Sequence, residues 1–141
     1  MLNMPTVKPI PFPEGKGYFK TLLSYIRWWE VVEDYKVTIP GIVPIVIPRG
    51  FIFDGASIPK LFWNLMSPTG ILLIPGIIHD YAYRYHGLII EEHGVQSYRY
   101  MSKGEADALF LEIADYANGL PILNKIAYLA VKWYGIGSWS K

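Results

Sequence analysis

Tyr35-Lys36-Val37-Thr38-Ile39 alternates apolar and polar side chains, the period-two pattern of a strand with one buried face. Just upstream, Ile26-Arg27-Trp28-Trp29-Glu30-Val31-Val32 is rich in aromatic and β-branched residues and predicts another strand. Glu33-Asp34 is expected to turn that strand back onto Tyr35–Ile39 as a hairpin. Downstream, Pro40, Pro44 and Pro48 punctuate Ile42–Ile47. A proline cannot donate to a ladder, so this strand is expected at a sheet edge. Residues 1–17 carry Pro5, Pro9, Pro11 and Pro13 and read as a proline-rich arm, an interaction segment more than core. Residues 18–141 then form a single domain.

Past residue 53 the pattern turns helical. Ser57-Ile58-Pro59 reads as an N-cap with proline just inside a short helix through Met66. Pro75 opens a helix to His86, where Gly87 fits a left-handed cap. Gly94 and Tyr98-Arg99-Tyr100 predict a short hairpin or loop within 88–101. Ser102-Lys103-Gly104-Glu105 matches a capping box and starts a helix to Ala117, closed by Asn118-Gly119. Its apolar face comprises Ala106, Leu109, Phe110, Ile113, Ala114 and Ala117. A last helix runs from Pro121 to Tyr134 and is expected to end at Gly135. The sum is α+β: an N-terminal antiparallel β-sheet followed by three to four helices, two of them packed as an antiparallel pair.

Composition agrees with a packed domain. Of 141 residues, 52% are hydrophobic and 18% charged, enough apolar side chain for a core and too little charge for disorder. A net charge of +1 excludes the basic footprint of a nucleic-acid binder. With no cysteine, disulfides, thiolate metal sites and cysteine nucleophiles are excluded. Met1-Leu2-Asn3-Met4-Pro5 lacks a basic then apolar run, so no secretion signal is expected. The uncharged run 61–78 reaches spanning length, but Asn64, Pro68, Gly70 and Pro75 make it helix–loop–helix rather than a transmembrane segment.

Three groups of residues could carry chemistry. His79 and Tyr83 share a face of the Pro75 helix, with Asp80 a third of a turn away. Asp107 borders the packing face of the Ser102 helix, while Glu105, Glu112 and Asp115 fall elsewhere. If the two helices pack antiparallel, Asp107 meets the His79 ring, fixes its tautomer and leaves the other nitrogen to act as a base. Asp54, in Asp54-Gly55-Ala56-Ser57, could join Asp80 in a hard oxygen site for calcium or another divalent cation. Each group has a plainer reading. The His79–Asp107 pair could only hold helices together, Asp80 could bridge Arg84 at i+4, and Ser57 is explained by capping. His79 and His86 lie two turns apart, too far for the usual i, i+4 zinc pair.

Phe51-Ile52-Phe53-Asp54-Gly55-Ala56-Ser57-Ile58-Pro59-Lys60, then His79-Asp80-x-x-Tyr83, then 102–110, resembles a domain family of unknown function carried largely by bacteriophages and prophages. The likeness covers residues 40–135 and implies a phage origin, with the host cytoplasm or the virion as location. More distantly, His79-Asp80-x-x-Tyr83 followed by Ala106-Asp107-x-x-Phe110 is similar to the paired-helix core of secreted and parvoviral phospholipases A2. That resemblance implies His79 as general base, Asp80 as calcium ligand, and Tyr83 with Asp107 as supports. Where those enzymes carry a glycine-rich calcium loop, this chain has Ser67-Pro68-Thr69-Gly70-Ile71-Leu72-Leu73-Ile74-Pro75-Gly76, without Gly-x-Gly.

Two functions follow as expectations. One is a phage-encoded, hydrolase-like domain in which His79, oriented by Asp107, activates water beside a cation at Asp80, acting on esters or phospholipids. The other is a non-catalytic virion or assembly component that docks onto other virion proteins, with His79 and Asp107 as a structural pair.

Overall fold

In a computed structural model of the chain, residues 3–9, 29–53, 62 and 71–139 are described. Asp54 and, apart from Phe62, the short helix expected after Ser57 lie outside them. The described residues form two antiparallel sheets and three helices, a mixed α+β arrangement in which an N-terminal run of strands leads into the helices and one further hairpin lies between the first helix and the second.

The first sheet runs β1 (Val7–Pro9), β2 (Trp29–Val31), β5 (Ile52–Phe53). Part of the proline-rich arm is thus a strand, paired antiparallel with β2 through Val7↔Val31. The second sheet runs β3 (Tyr35–Ile39), β4 (Ile42–Ile47), β6 (Gly87–Glu92), β7 (Val95–Tyr100). In β3 the alternation predicts burial correctly: Tyr35, Val37 and Ile39 point inward, Lys36 and Thr38 outward.

The expected β2–β3 hairpin does not form, and the two strands belong to different sheets. Val31 exchanges backbone hydrogen bonds with Phe51 and Gly50, and Val32 donates to Thr6, so the β2 ladder is committed elsewhere. Asp34 accepts the Arg49 amide across the intervening bend. The edge position expected for Ile42–Ile47 is also wrong: β4 lies between β3 and β6. Its proline is accommodated by an irregularity. Between the pairs Val37↔Ile45 and Ile39↔Ile42 the register shifts, so Val43 and Pro44 fall outside the regular ladder, and pairing to β6 involves Ile45 and Val46.

Helix α1 (Leu73–Tyr85) is buried continuously from Leu73 to Tyr83. A helix apolar on all sides has to be covered on all sides. Here β6 lies against it on one side and α2 (Lys103–Asn118) on another. The left-handed cap of α1 is His86, at φ 54°, not Gly87. Gly87 already belongs to β6, where a Cβ would lie 2.4 Å from the Arg99 carbonyl oxygen and 2.6 Å from the Tyr98 ring. Its glycine is required by close approach, not by handedness. The β6–β7 hairpin turns at His93-Gly94, both with positive φ, as a two-residue turn matched to strand twist requires.

The capping box of α2 is made in full: Ser102 accepts the Glu105 amide, and the Glu105 carboxylate accepts the Ser102 amide. Gly119 closes the helix at φ 65°, while Ala117, expected on the packing face, is exposed. The first two helices are antiparallel. Lys103, at the start of α2, lies over the Tyr83 ring near the end of α1, whereas Asn118, at the end of α2, donates to the Ile71 carbonyl just ahead of α1. Helix α3 (Pro121–Trp139) continues through Gly135 instead of ending there. Tertiary contacts override the low helix propensity of glycine: Trp139 stacks on His86 and meets Tyr83 edge-on, and Gly135 is buried against Tyr83. No helix among the described residues is long and apolar enough to cross a membrane.

Candidate functional site

The helix pairing brings His79, Tyr83 and Asp107 together. His79 Nε2 lies 2.8 Å from Asp107 Oδ1, and the Tyr83 hydroxyl donates to the same oxygen at 2.6 Å. A carboxylate can only accept, so His79 holds its proton on Nε2. The other carboxylate oxygen, Oδ2, accepts from the Lys103 ammonium at 2.7 Å. Lys103 in turn donates to the Lys132 carbonyl at 2.8 Å, tying the carboxylate cluster to α3. The His79 ring is tilted over Tyr83 at 4.1 Å between centroids and meets Phe110 edge-on at 5.4 Å.

Lys103 was not among the residues singled out from sequence. Its signal was present in the i, i+4 spacing to Asp107, which places an ammonium one helical turn before a carboxylate.

Burial decides what this cluster is. The side chain of His79 has 0% of its surface accessible, and that of Asp107 2%. Burial lowers the His79 pKa from its ordinary value and outweighs the opposing attraction of Asp107, so the imidazole is neutral. Burial alone would raise the Asp107 pKa, but hydrogen bonds from His79, Lys103 and Tyr83 together hold it below the ordinary carboxylate value. Tyr83 is driven well above the usual phenol range, first by burial and then by the adjacent carboxylate. The resting cluster is therefore a neutral imidazole, a phenol and an ammonium around one carboxylate.

These directions fix the response to acid. Below about pH 6.5, the ordinary histidine value, the unfolded chain takes up a proton that folded His79 refuses, so stability falls. Asp107 adds a second loss once the pH drops through 3.8, its unfolded value, and on through its lower folded one. Urea midpoints measured between pH 8 and 4 are expected to decline from about 6.5 downward. A midpoint that rises on acidification from 7 to 5 contradicts this charge assignment.

Asp80 lies apart from this cluster in chemistry. It is buried, and its Oδ2 faces the Arg84 guanidinium at 3.7 Å, the i, i+4 bridge that the spacing allows. Arg84 also donates to the Ile52 carbonyl and lies over the Phe51 ring. A divalent cation beside Asp80 would share its carboxylate with this guanidinium, and Asp54, the other expected ligand, lies outside the described residues. Among the described residues no three His, Asp or Glu side chains converge as a metal-binding group. His86 lies at the other end of α1, its Nε2 donating to the Trp139 carbonyl at 2.8 Å.

The comparisons with known proteins give a family without an activity. A family model described as a protein of unknown function (DUF1353) matches residues 29–131, and the chain belongs to that family. No curated protein and no solved structure matches the chain.

Proposed function

We propose that this member of the DUF1353 family is a non-catalytic component of a bacteriophage particle or of its assembly, and that His79 and Asp107 hold its helices together. The phage setting rests on the order of the sequence motifs around Asp54, His79 and Asp107. The burial of the imidazole carries the rest: a ring with 0% accessible surface is a poor general base, since a base must come within about 2.6–3.2 Å of the proton it takes, directly or through one water. Asp107 is likewise occupied, by three donors at once. Function then falls to the surface, where apolar side chains of β7 and α3 stand in solvent.

A hydrolytic reading draws on one specific observation, the fixed tautomer. With Nε2 held by Asp107 and Tyr83 on the same oxygen, the ring is oriented as a water-activating histidine needs to be. Under this reading His79 is the base, Asp107 and Tyr83 position it, and esters or phospholipids are the substrates. The two readings separate in one assay. The full chain is incubated with 4-nitrophenyl esters and with phospholipid micelles, with and without calcium. We expect no turnover above the buffer blank, and co-sedimentation of the protein with particles in infected-cell extracts. Hydrolysis that disappears in a folded His79→Gln variant overturns the structural reading.

A further inference from the structure

We infer that the outer face of α3 is a docking site for an acidic amphipathic helix of another protein. This rests on the docking reading above and names its partner. Ile122, Ile126, Leu129, Trp133 and Ile136 all stand in solvent, with Ile122 at 79% and Trp133 at 73% exposure. Their spacing of four, three, four and three residues is the 3.5-residue repeat by which one helix packs knobs into the holes of another. The inner face, with Asn124, Ala127, Val131 and Gly135 buried, already serves the fold. Among the described residues the outer stripe therefore stands apart from the core. It spans about 21 Å at 1.5 Å per residue, four turns of a partner helix.

The charge pattern selects among occupants. No Asp or Glu occurs from residue 119 to the end of the sequence, and Lys125 and Lys132 flank the stripe one heptad apart on the same side. Neither lysine has an ion-pair partner among the described residues. In heptad terms both occupy g positions, and Leu123 and Ala130 occupy e. An antiparallel second copy would set lysine flank against lysine flank. A parallel copy would set Lys125 against Ala130 and Lys132 against Gly137, the next e position. Neither supplies a countercharge, so self-pairing is disfavoured. A lipid surface is also a poorer match. Interfacial helices carry cations along their polar face, whereas here they occupy one margin. A helix with apolar a and d positions and acidic flanks satisfies both the stripe and the lysines.

The test uses the full chain and two synthetic four-heptad peptides with leucine at a and d. One carries glutamate at e and g, the other lysine; each repels itself and so stays available. Fluorescence anisotropy at low salt is expected to show the acidic peptide binding at least ten-fold tighter than the basic one. The K125E/K132E variant should reverse that preference. Leu129→Asp combined with Trp133→Asp should abolish binding while cooperative thermal melting is retained. Equal binding of both peptides, binding of neither, or a preference that K125E/K132E fails to reverse overturns the proposal. So does a dimer in light scattering that Leu129→Asp dissolves, or capture by phosphatidylglycerol vesicles without peptide discrimination. Failure here is distinct from failure of the docking reading, which would show as His79-dependent ester hydrolysis by the unaltered chain.

Discussion

Asp107→Ala is expected to lower the free energy of unfolding by about 3–5 kcal/mol, the usual cost of removing one partner from a buried charged network. In a domain of this size that corresponds to a melting temperature lower by at least about 10 °C. The reason is the number of donors left behind. His79 Nε2–H, the Tyr83 hydroxyl and the Lys103 ammonium all converge on this one carboxylate, and the first two are buried with it. Alanine gives none of them an acceptor, and an unsatisfied buried donor carries its full desolvation cost. Asp107→Asn should fall between: its oxygen can accept from His79 and Tyr83, but its NH2 then faces the Lys103 ammonium. Replacing both His79 and Asp107 by leucine should recover only the part due to the stranded imidazole, because the Tyr83 hydroxyl and the Lys103 ammonium still lose their acceptor. Differential scanning calorimetry of the single and double variants checks both statements. A single Asp107→Ala variant that melts within about 2 °C of the parent contradicts the clamp.

Gly135→Ala is expected to destabilise by about 1–3 kcal/mol, the cost of inserting a methyl group into a packed core. This is the reverse of the usual sign, since alanine in a helix interior is ordinarily favoured over glycine by about 1 kcal/mol. A Cβ at position 135 would lie 2.2 Å from the Tyr83 hydroxyl oxygen and 2.6–2.8 Å from its ring carbons. Tyr83 cannot withdraw cheaply. Its hydroxyl is held by Asp107, one face of its ring is against His79, and Trp139 meets it edge-on. The methyl group thus acts on the carboxylate cluster through Tyr83. Gly137→Ala is the matched control, with nothing among the described residues within 4 Å of the added carbon, and should be neutral or slightly stabilising. Equal urea midpoints for the two variants would show that α3 does not press on Tyr83.

The sequence signals that proved informative were local and periodic. The alternation Tyr35–Ile39, the Ser102–Glu105 capping box and the hairpin or loop expected around Gly94 within 88–101 each depend on neighbours in the chain, and each is found where those neighbours place it. His79 and Asp107 could be paired in advance because each was a polar group bordering an apolar helix face, and such groups need partners. The errors lie where distant segments decide. Whether β2 pairs with β3 depends on Thr6, Gly50 and Phe51, none of which is adjacent to the Glu33-Asp34 bend. Pro44 obeys the local rule against ladder donation, but the chain met that rule with an irregularity in a central strand instead of an edge. Glycine was misread twice for one reason. At Gly87 and Gly135 the missing side chain makes room for Tyr98 and Tyr83, so neither residue marks an end. The sealing of His79 is likewise a tertiary fact: helix periodicity gives the face a ring lies on, not how completely the next layer covers it.

The central claim is that His79 is a buried, neutral donor to Asp107. Proton and nitrogen NMR of the imidazole in the folded chain tests it most directly. The account predicts an Nε2-protonated neutral ring whose shifts stay constant from pH 8 down to the onset of acid unfolding, with slow exchange of that proton. A folded-state titration near pH 6.5 with rapid exchange would contradict it.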